Sequence, residues 1–179
     1  MGFIISQQLL LSSQDSINVG YLYIKIGCGK VNMMRFRFLP HTADMAFIGY
    51  GKSFREALEN AALALLSIRM DAKKIRRGKG KSAAMPVTAA AHGYEDLVWY
   101  SLQDILSKVD ARSLPAYGFR VKELEEGKGG LVKMRGEILY KRAKEGADYY
   151  LLDVKAVTPH ELYVKKRGGR YAIHVVVDI

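Results

Sequence analysis

From residue 33 onward the chain changes period along its length. Arg35–Leu39 and Met45–Tyr50 are short β-prone runs on either side of a His41-Thr42-Ala43-Asp44 turn. Ser53-Phe54-Arg55-Glu56 then has the spacing of a capping box. Phe54, Leu58, Ala61, Leu65 and Ile68 follow at three- and four-residue steps, which predicts a helix to about Met70 with one face on a core. Asp71–Ser82 is polar, contains Gly78 and Gly80, and reads as a loop. Met85–Ala91 reads as a strand. A second helix is predicted from about Tyr94 to Val109, with Val98, Leu102, Ile105 and Val109 as its buried stripe and Trp99 beside it. Past Pro115 the chain turns to β: Phe119–Leu124, Leu131–Tyr140, Tyr149–Thr158, Glu161–Lys166 and Tyr171–Ile179 alternate or are rich in Val, Tyr and Ile, and glycine turns separate several of them. Two long amphipathic helices with about seven strands predict an α+β fold, a two-layer α/β sandwich.

Charge then divides the chain. Residues 1–32 carry three charges, Asp15, Lys25 and Lys30, against 43 in the other 147 residues. Met33-Met34 stands at the change, and the preceding Gly29-Lys30-Val31-Asn32 can be encoded by codons containing AAGGUGA, a ribosome-binding sequence. We therefore read 1–32 as an N-terminal extension upstream of a translation start at Met33 or Met34, and 33–179 as the domain. A genuine terminal strand or hairpin, with Gly20–Ile26 as its β-prone part, is the other reading. The excess of 26 cations over 17 anions in 33–179 leaves the domain at +9 of the whole chain's +10, so the extension does not account for the basicity. Such a balance suits nucleic acid, phosphate-rich ligands or an acidic partner. The single cysteine, Cys28, excludes an internal disulfide and a multi-cysteine zinc site. No apolar run approaches the roughly 20 residues of a membrane-spanning helix, and no secretory signal opens the chain, so a cytoplasmic location is expected.

Two features carry candidate chemistry. Lys73, Lys74, Arg76, Arg77, Lys79 and Lys81 place six cations within nine positions. They can grip phosphates, or they can simply be a solvated loop. Gly80-Lys81-Ser82 is not a phosphate-binding P-loop, because the glycine required five residues before Gly80 is Ile75 and a helix precedes it rather than a strand. The second feature is acidic. In the last strand Tyr171, Ile173, Val175 and Val177 share the face expected to meet the core, which leaves Asp178 at a strand end near a neighbouring turn. Asp44 with Asp178 and an α-carboxylate on Ile179 would make an oxygen-only site suited to calcium or magnesium. An Asx-turn or cap is the alternative role for Asp44.

Three blocks resemble one known family. They are His41-Thr42-Ala43-Asp44 running through Tyr50-Gly51-Lys52-Ser53 to Glu59-Asn60-Ala61-Ala62, then Asp153-Val154-Lys155-Ala156-Val157-Thr158-Pro159-His160, and finally Val175-Val176-Val177-Asp178-Ile179. In this order they resemble the archeases, over about Phe36 to Ile179. The resemblance implies a two-layer sandwich with a mixed β-sheet and two long helices on one face. It implies a bound calcium, or another divalent cation such as magnesium or manganese, on Asp44, Asp178 and Ile179. It also implies a role without catalysis of its own: activating an RtcB-type RNA ligase in tRNA splicing, by promoting transfer of GMP onto the ligase, allowing multiple turnover and broadening its nucleotide use. A tRNA methyltransferase is a further partner attributed to the family. Pro159 stands where the family usually has Tyr. The family often has a His a few residues beyond the Gly-Glu pair, whereas Gly136-Glu137 leads only to Lys141, Arg142 and Lys144.

Lys155, read as sharing a strand face with Asp153 and Val157, is a candidate contact for a phosphate or a partner. His41, Thr158 and His160 flank the same motifs as supporting residues. The runner-up function is a stand-alone basic tRNA-binding or chaperone-like module, for which the 73–81 segment would be the working surface; for a ligase activator, contact with tRNA would be weak or indirect. On the reading of 1–32 as an upstream extension, mass spectrometry of the protein purified from its native cells will find an N-terminus at Met33 or Met34. An intact Met1 terminus refutes it.

Overall fold

A computed structural model describes residues 34–39, 44–142 and 149–179 of the chain. The N-terminal extension, the proposed start at Met33 and the turn residues His41, Thr42 and Ala43 lie outside the described residues.

Helix α1 (Phe54–Arg69) begins as the capping pattern predicts on one side and differs on the other. Ser53 Oγ accepts from Glu56 N at 3.2 Å, but the Glu56 carboxylate accepts from Lys52 N at 2.7 Å, one residue before the cap. Its apolar stripe is buried, with Ala57, Leu58 and Ala61 among its wholly enclosed residues. Strand β1 (Phe36–Leu39) precedes it, with β2 (Met45–Gly51) between. The region expected to be a loop after α1 forms a short helix, α2 (Ala72–Arg77). Two interactions that a polar sequence does not advertise hold it there: Asp71 caps it by accepting from Lys74 N at 2.8 Å, and Ile75 is completely buried. Strand β3 (Lys81–His92) and helix α3 (Tyr94–Ala111) follow.

The second half contains β4 (Ala116–Glu126), β5 (Leu131–Arg142), β6 (Ala156–Arg167) and β7 (Arg170–Asp178). Tyr149–Thr158 and Glu161–Lys166 were expected as two strands. Residues 149–155 instead make only one isolated bridge, Met70 with Tyr150, and the remainder is a single strand, β6, whose register with β7 is broken between Thr158 and Tyr163. Glu161, at φ 56°, lies in that irregularity.

The α+β class and the two long helices are as the sequence predicts. The strands form two sheets, β1-β2-β7-β6 and β3-β5-β4, in which every described pairing is antiparallel, where one mixed sheet was expected. Nor do both helices lie on one face of one sheet. Helix α1 packs against β2 and β7 of the first sheet and reaches β4 of the second; α3 packs against β3 and β5 of the second and reaches β6 of the first. One continuous hydrophobic core joins all of them.

Gly49 and Gly51 permit this closeness. A Cβ built on Gly49 would lie 2.6 Å from Ala61 N, and one on Gly51 would lie 2.3 Å from Ala57 N, so the α1 backbone rests directly on β2. Replacing Gly49 by Val must lift the helix off the sheet. We expect Gly49→Val to cost about 3 kcal/mol, the upper part of the usual overpacking range, read as a lowered midpoint in urea unfolding. An unchanged midpoint would mean that the helix can slide without loss.

Candidate functional site

Antiparallel pairing determines which residues meet at one end of the first sheet. Met45 of β2 stands opposite Val177 of β7. Asp44 is the residue before Met45 and Asp178 the residue after Val177, so the register carries both carboxylates to the same end of adjacent strands. On the other side of β7, Asp178 stands opposite Ala156, the first residue of β6. Lys155 immediately precedes it. Its backbone N–H donates to Asp178 O at 2.9 Å, and its ammonium donates to the main-chain oxygen of Ile179 at 2.9 Å. Asp44, Asp178, Ile179 and Lys155, separated by up to 135 positions in sequence, thus form one cluster.

Burial explains why Asp178 is presented outward. Ile173, Val175 and Val177 are wholly buried, as the alternation predicts, and Asp178 is exposed at the end of that anchored strand. His174 and Val176, on the opposite face, are buried too. His174 makes a 2.8 Å contact from Nδ1 to Glu161 O and stacks on the Tyr163 ring at 4.9 Å. Strand β7 is therefore held from both faces, and its last residue has little freedom to wander.

The donor set fits a hard cation. It consists of oxygen atoms alone: the Asp44 and Asp178 carboxylates and the Ile179 main-chain oxygen. Among the described residues no group of three or more His, Cys, Asp and Glu that could hold a metal ion is found, so the main-chain oxygen of Ile179 would have to serve as the third donor of such a site. Lys155 already donates to that oxygen, which orients the last residue, and its ammonium would have to yield the oxygen to a bound cation.

The strand-face reading of Lys155 is corrected. Since 149–155 is not a regular strand, alternation does not place Asp153, Lys155 and Val157 together. Val157 is buried in the core, Lys155 turns to Ile179, and Asp153 pairs with Arg69 at 2.7 Å. Of the supporting residues, Thr158 Oγ1 accepts from His160 N at 3.0 Å, and the exposed His160 ring lies 3.5 Å from the Glu161 carboxylate. Both sit at the irregularity of β6, in which Thr158 is opposite Val176, two residues from Asp178.

Sequence reasoning missed the group that positions the approach to the site. Arg69, at the end of α1, pairs with both Asp110 of α3 and Asp153. Leu151 N donates to Arg69 O at 2.9 Å, so the same residue also pins the 149–155 segment through its backbone. Arg69, Tyr150, Leu151, Leu152 and Asp153 line a shallow cavity of about 290 Å³. The one available signal was a basic residue in the last turn of a helix, which ordinarily means only a favourable dipole interaction.

Compared with known proteins, the chain matches the profile of the Archease protein family over residues 36–179. The archease of Archaeoglobus fulgidus is 34% identical over 146 residues, covering 82% of this chain and 100% of that one. The archease of Methanosarcina acetivorans is 30% identical over 151 residues, covering 81% and 96%. In three dimensions the chain is similar to the solution structure of protein 1598 of Methanobacterium thermoautotrophicum, with a TM-score of 0.67 at 26% identity, over 82% of this chain and all of that one. An α+β domain of this fold thus recurs in other proteins. The chain belongs to the archease family.

The Arg69 cluster generates a pH-dependent expectation. Burial pushes the Asp110 carboxyl above its ordinary value, Arg69 pulls it down, and the neighbouring Asp153 charge adds to the rise. A carboxyl whose pKa is raised by folding stabilises the fold when protonated, and this contribution fades as pH rises through the raised value. Removing Arg69 deletes the only one of these influences that favours the anion. Arg69→Met should therefore cost about 1–2 kcal/mol at neutral pH, the scale of a partly exposed charge-assisted bond, and the cost should shrink as pH falls into the carboxylate range. Urea unfolding at both pH values measures it; a cost independent of pH would show that Arg69 contributes packing alone.

Proposed function

We propose that this chain is a non-catalytic accessory protein that activates an RtcB-type RNA ligase in tRNA splicing, promoting guanylylation of the ligase, multiple turnover and broader nucleotide use. The observation supporting this reading is the convergence of Asp44, Asp178 and Ile179 at one sheet end, produced by the pairing of Met45 with Val177. Membership of the archease family supports it as well.

In this proposal the two carboxylates and the Ile179 oxygen hold a divalent cation, calcium, magnesium or manganese. When bound, such a cation neutralises and aligns nucleotide phosphates, which is what nucleotidyl transfer requires. The chain's own residues do the positioning. Buried Val175 and Val177 fix the direction in which Asp178 points. The end of β2 sets Asp44 beside it. Lys155 holds the last residue in place through Ile179 and supplies an ammonium that can move from that oxygen to a phosphate, a short exchange for a flexible stem of four carbons. The exposed Asp178 lets the cluster be inserted into a partner's nucleotide pocket rather than closing over a substrate of its own. Among the described residues no helix is long and apolar enough to cross a membrane.

The test is guanylylation of the ligase from the same organism, with GTP and the divalent cation supplied. Asp44→Ala and Asp178→Ala should each lower stimulation at least about tenfold, equivalent to ~1.4 kcal/mol of lost stabilisation. One residue added after Ile179 should do the same if a terminal carboxylate takes part. Full stimulation by all three variants would refute the site.

A further inference from the structure

The segment read from sequence as a polar loop is strongly charged, and part of it forms a helix. No Asp or Glu occurs from Ala72 to Tyr94. Within that stretch Lys73, Lys74, Arg76 and Arg77 occupy the exposed face of α2, because Ala72 and Ile75 are buried against the body of the domain. Lys79 and Lys81 continue outward from the helix end. Sheet register then adds two cations that are remote in sequence: Arg142 stands opposite Lys81, and Lys141 opposite Ser82. Lys141 is tied back to the turn by a 3.2 Å bond from Nζ to Gly80 O. Eight cations, three of them arginine, therefore share one platform.

We infer that α2, with the adjoining ends of β3 and β5, docks the phosphodiester backbone of RNA. Composition separates this partner from an acidic protein. Protein interfaces are depleted of lysine and centre on aromatic or aliphatic anchors, whereas five of these eight residues are lysine and none is a large apolar group. Fixed placement argues for function over a solvated charge run. The Asp71 cap, the buried Ile75 and the 2.8 Å bond from Asp71 N to Tyr149 O hold the helix, so its cations approach phosphates with less backbone entropy to lose. The aromatic ring beside the cations, Tyr149, is half-buried with Lys74 Nζ 5.8 Å from its centroid, so the exposed surface offers charge to the backbone more than rings to bases.

Position relates the platform to the carboxylate cluster. Tyr149 meets Asp71 beside α2, and Lys155 meets Ile179 at the cluster. They are six positions apart in sequence, which limits the span between these two residues to about 20–22 Å even at full extension. The other cationic patch, Lys165, Lys166, Arg167 and Arg170, lies toward the opposite end of β7 from Asp178: Arg170 is eight residues away along the strand, about 27 Å, and Lys165, opposite Ala172, about 20 Å. The short span from Tyr149 to Lys155 thus links the α2 platform to the end of the molecule proposed to enter the ligase. The choice of RNA as the nucleic acid rests on that proposed function; the phosphate-binding surface does not.

Fluorescence anisotropy of a labelled tRNA transcript with the full chain alone tests the inference. Contact with four to six phosphates predicts a log–log salt slope of about −3 to −5 between roughly 50 and 200 mM salt. Lys73→Gln/Arg76→Gln/Arg77→Gln, all exposed and helix-compatible, should weaken binding at least about tenfold and reduce the slope by about 2–3. Lys165→Gln/Lys166→Gln/Arg167→Gln, which removes the same charge elsewhere, should leave most of the affinity. Equal loss in the two triple variants would overturn the inference, since net charge would then suffice. So would α2 substitutions that abolish capture of the ligase without RNA while tRNA affinity stays intact, for the platform would then serve a protein. Asp178→Ala should retain tRNA binding while losing guanylylation, so failure of the platform and failure of the carboxylate site are separately visible.

Discussion

The structure depends on helix side chains that satisfy the backbones of edge strands. Val157 of β6 is buried, and among the described residues no strand pairs with the edge of β6 that faces away from β7. Its N–H donates to Gln103 Oε1 at 3.0 Å and its carbonyl accepts from Trp99 Nε1 at 2.8 Å, both from α3. Glu95, one turn before Trp99, accepts from Val164 N at 3.1 Å. The second sheet repeats the device: Val121 N of β4 donates to Glu59 of α1 at 2.8 Å. Each unmade bond at such a site would cost about 1–3 kcal/mol, so these polar residues determine where each helix must lie. They also protect two edges that would otherwise invite pairing with another chain.

That constraint reaches the carboxylate end directly. Holding Val157 against α3 fixes the first turns of β6, and Ala156 beside it stands opposite Asp178. Lys155 then has one short route, onto Ile179. At the same time α1 presses on β2 through Gly49 and Gly51, which anchors the strand that delivers Asp44. The cluster is assembled by three strands, each clamped by a different contact. Its opposite end, at the β6–β7 turn, is cationic, so the first sheet carries charges of opposite sign at its two ends.

Local pattern made the helices legible. The three- and four-residue spacing of Phe54–Ile68 and the Ser53 cap located α1 closely, and the stripe from Val98 to Val109 located α3. The twofold alternation of β7 correctly assigned Ile173, Val175 and Val177 to the core. Short motifs in a given order made the family recognisable, because turn residues and strand ends are recorded as residue types. Helix α2 was not legible, since four of its six residues are charged and its anchors, Ile75 and the Asp71 cap, look like an isolated apolar residue and a loop acid. Residues 149–155 misled for the opposite reason: their β-prone sequence forms no strand ladder, and their backbone groups bond to Arg69 and Asp71 instead.

The amino-acid sequence by itself determined the two long helices and their buried faces, most of the strands, the positive balance of the domain and the family. Those properties follow from periods of 3.6 and 2 and from residue chemistry, both of which are local. Only the tertiary structure decided that the strands divide into two antiparallel sheets, that α1 and α3 each serve both, that Arg69 joins Asp110 to Asp153, and that Lys141 and Arg142 add to the charge of α2. These are pairings across long stretches of chain, and they are selected by which backbone groups and apolar faces remain to be satisfied once the local elements exist. No window of residues contains that information.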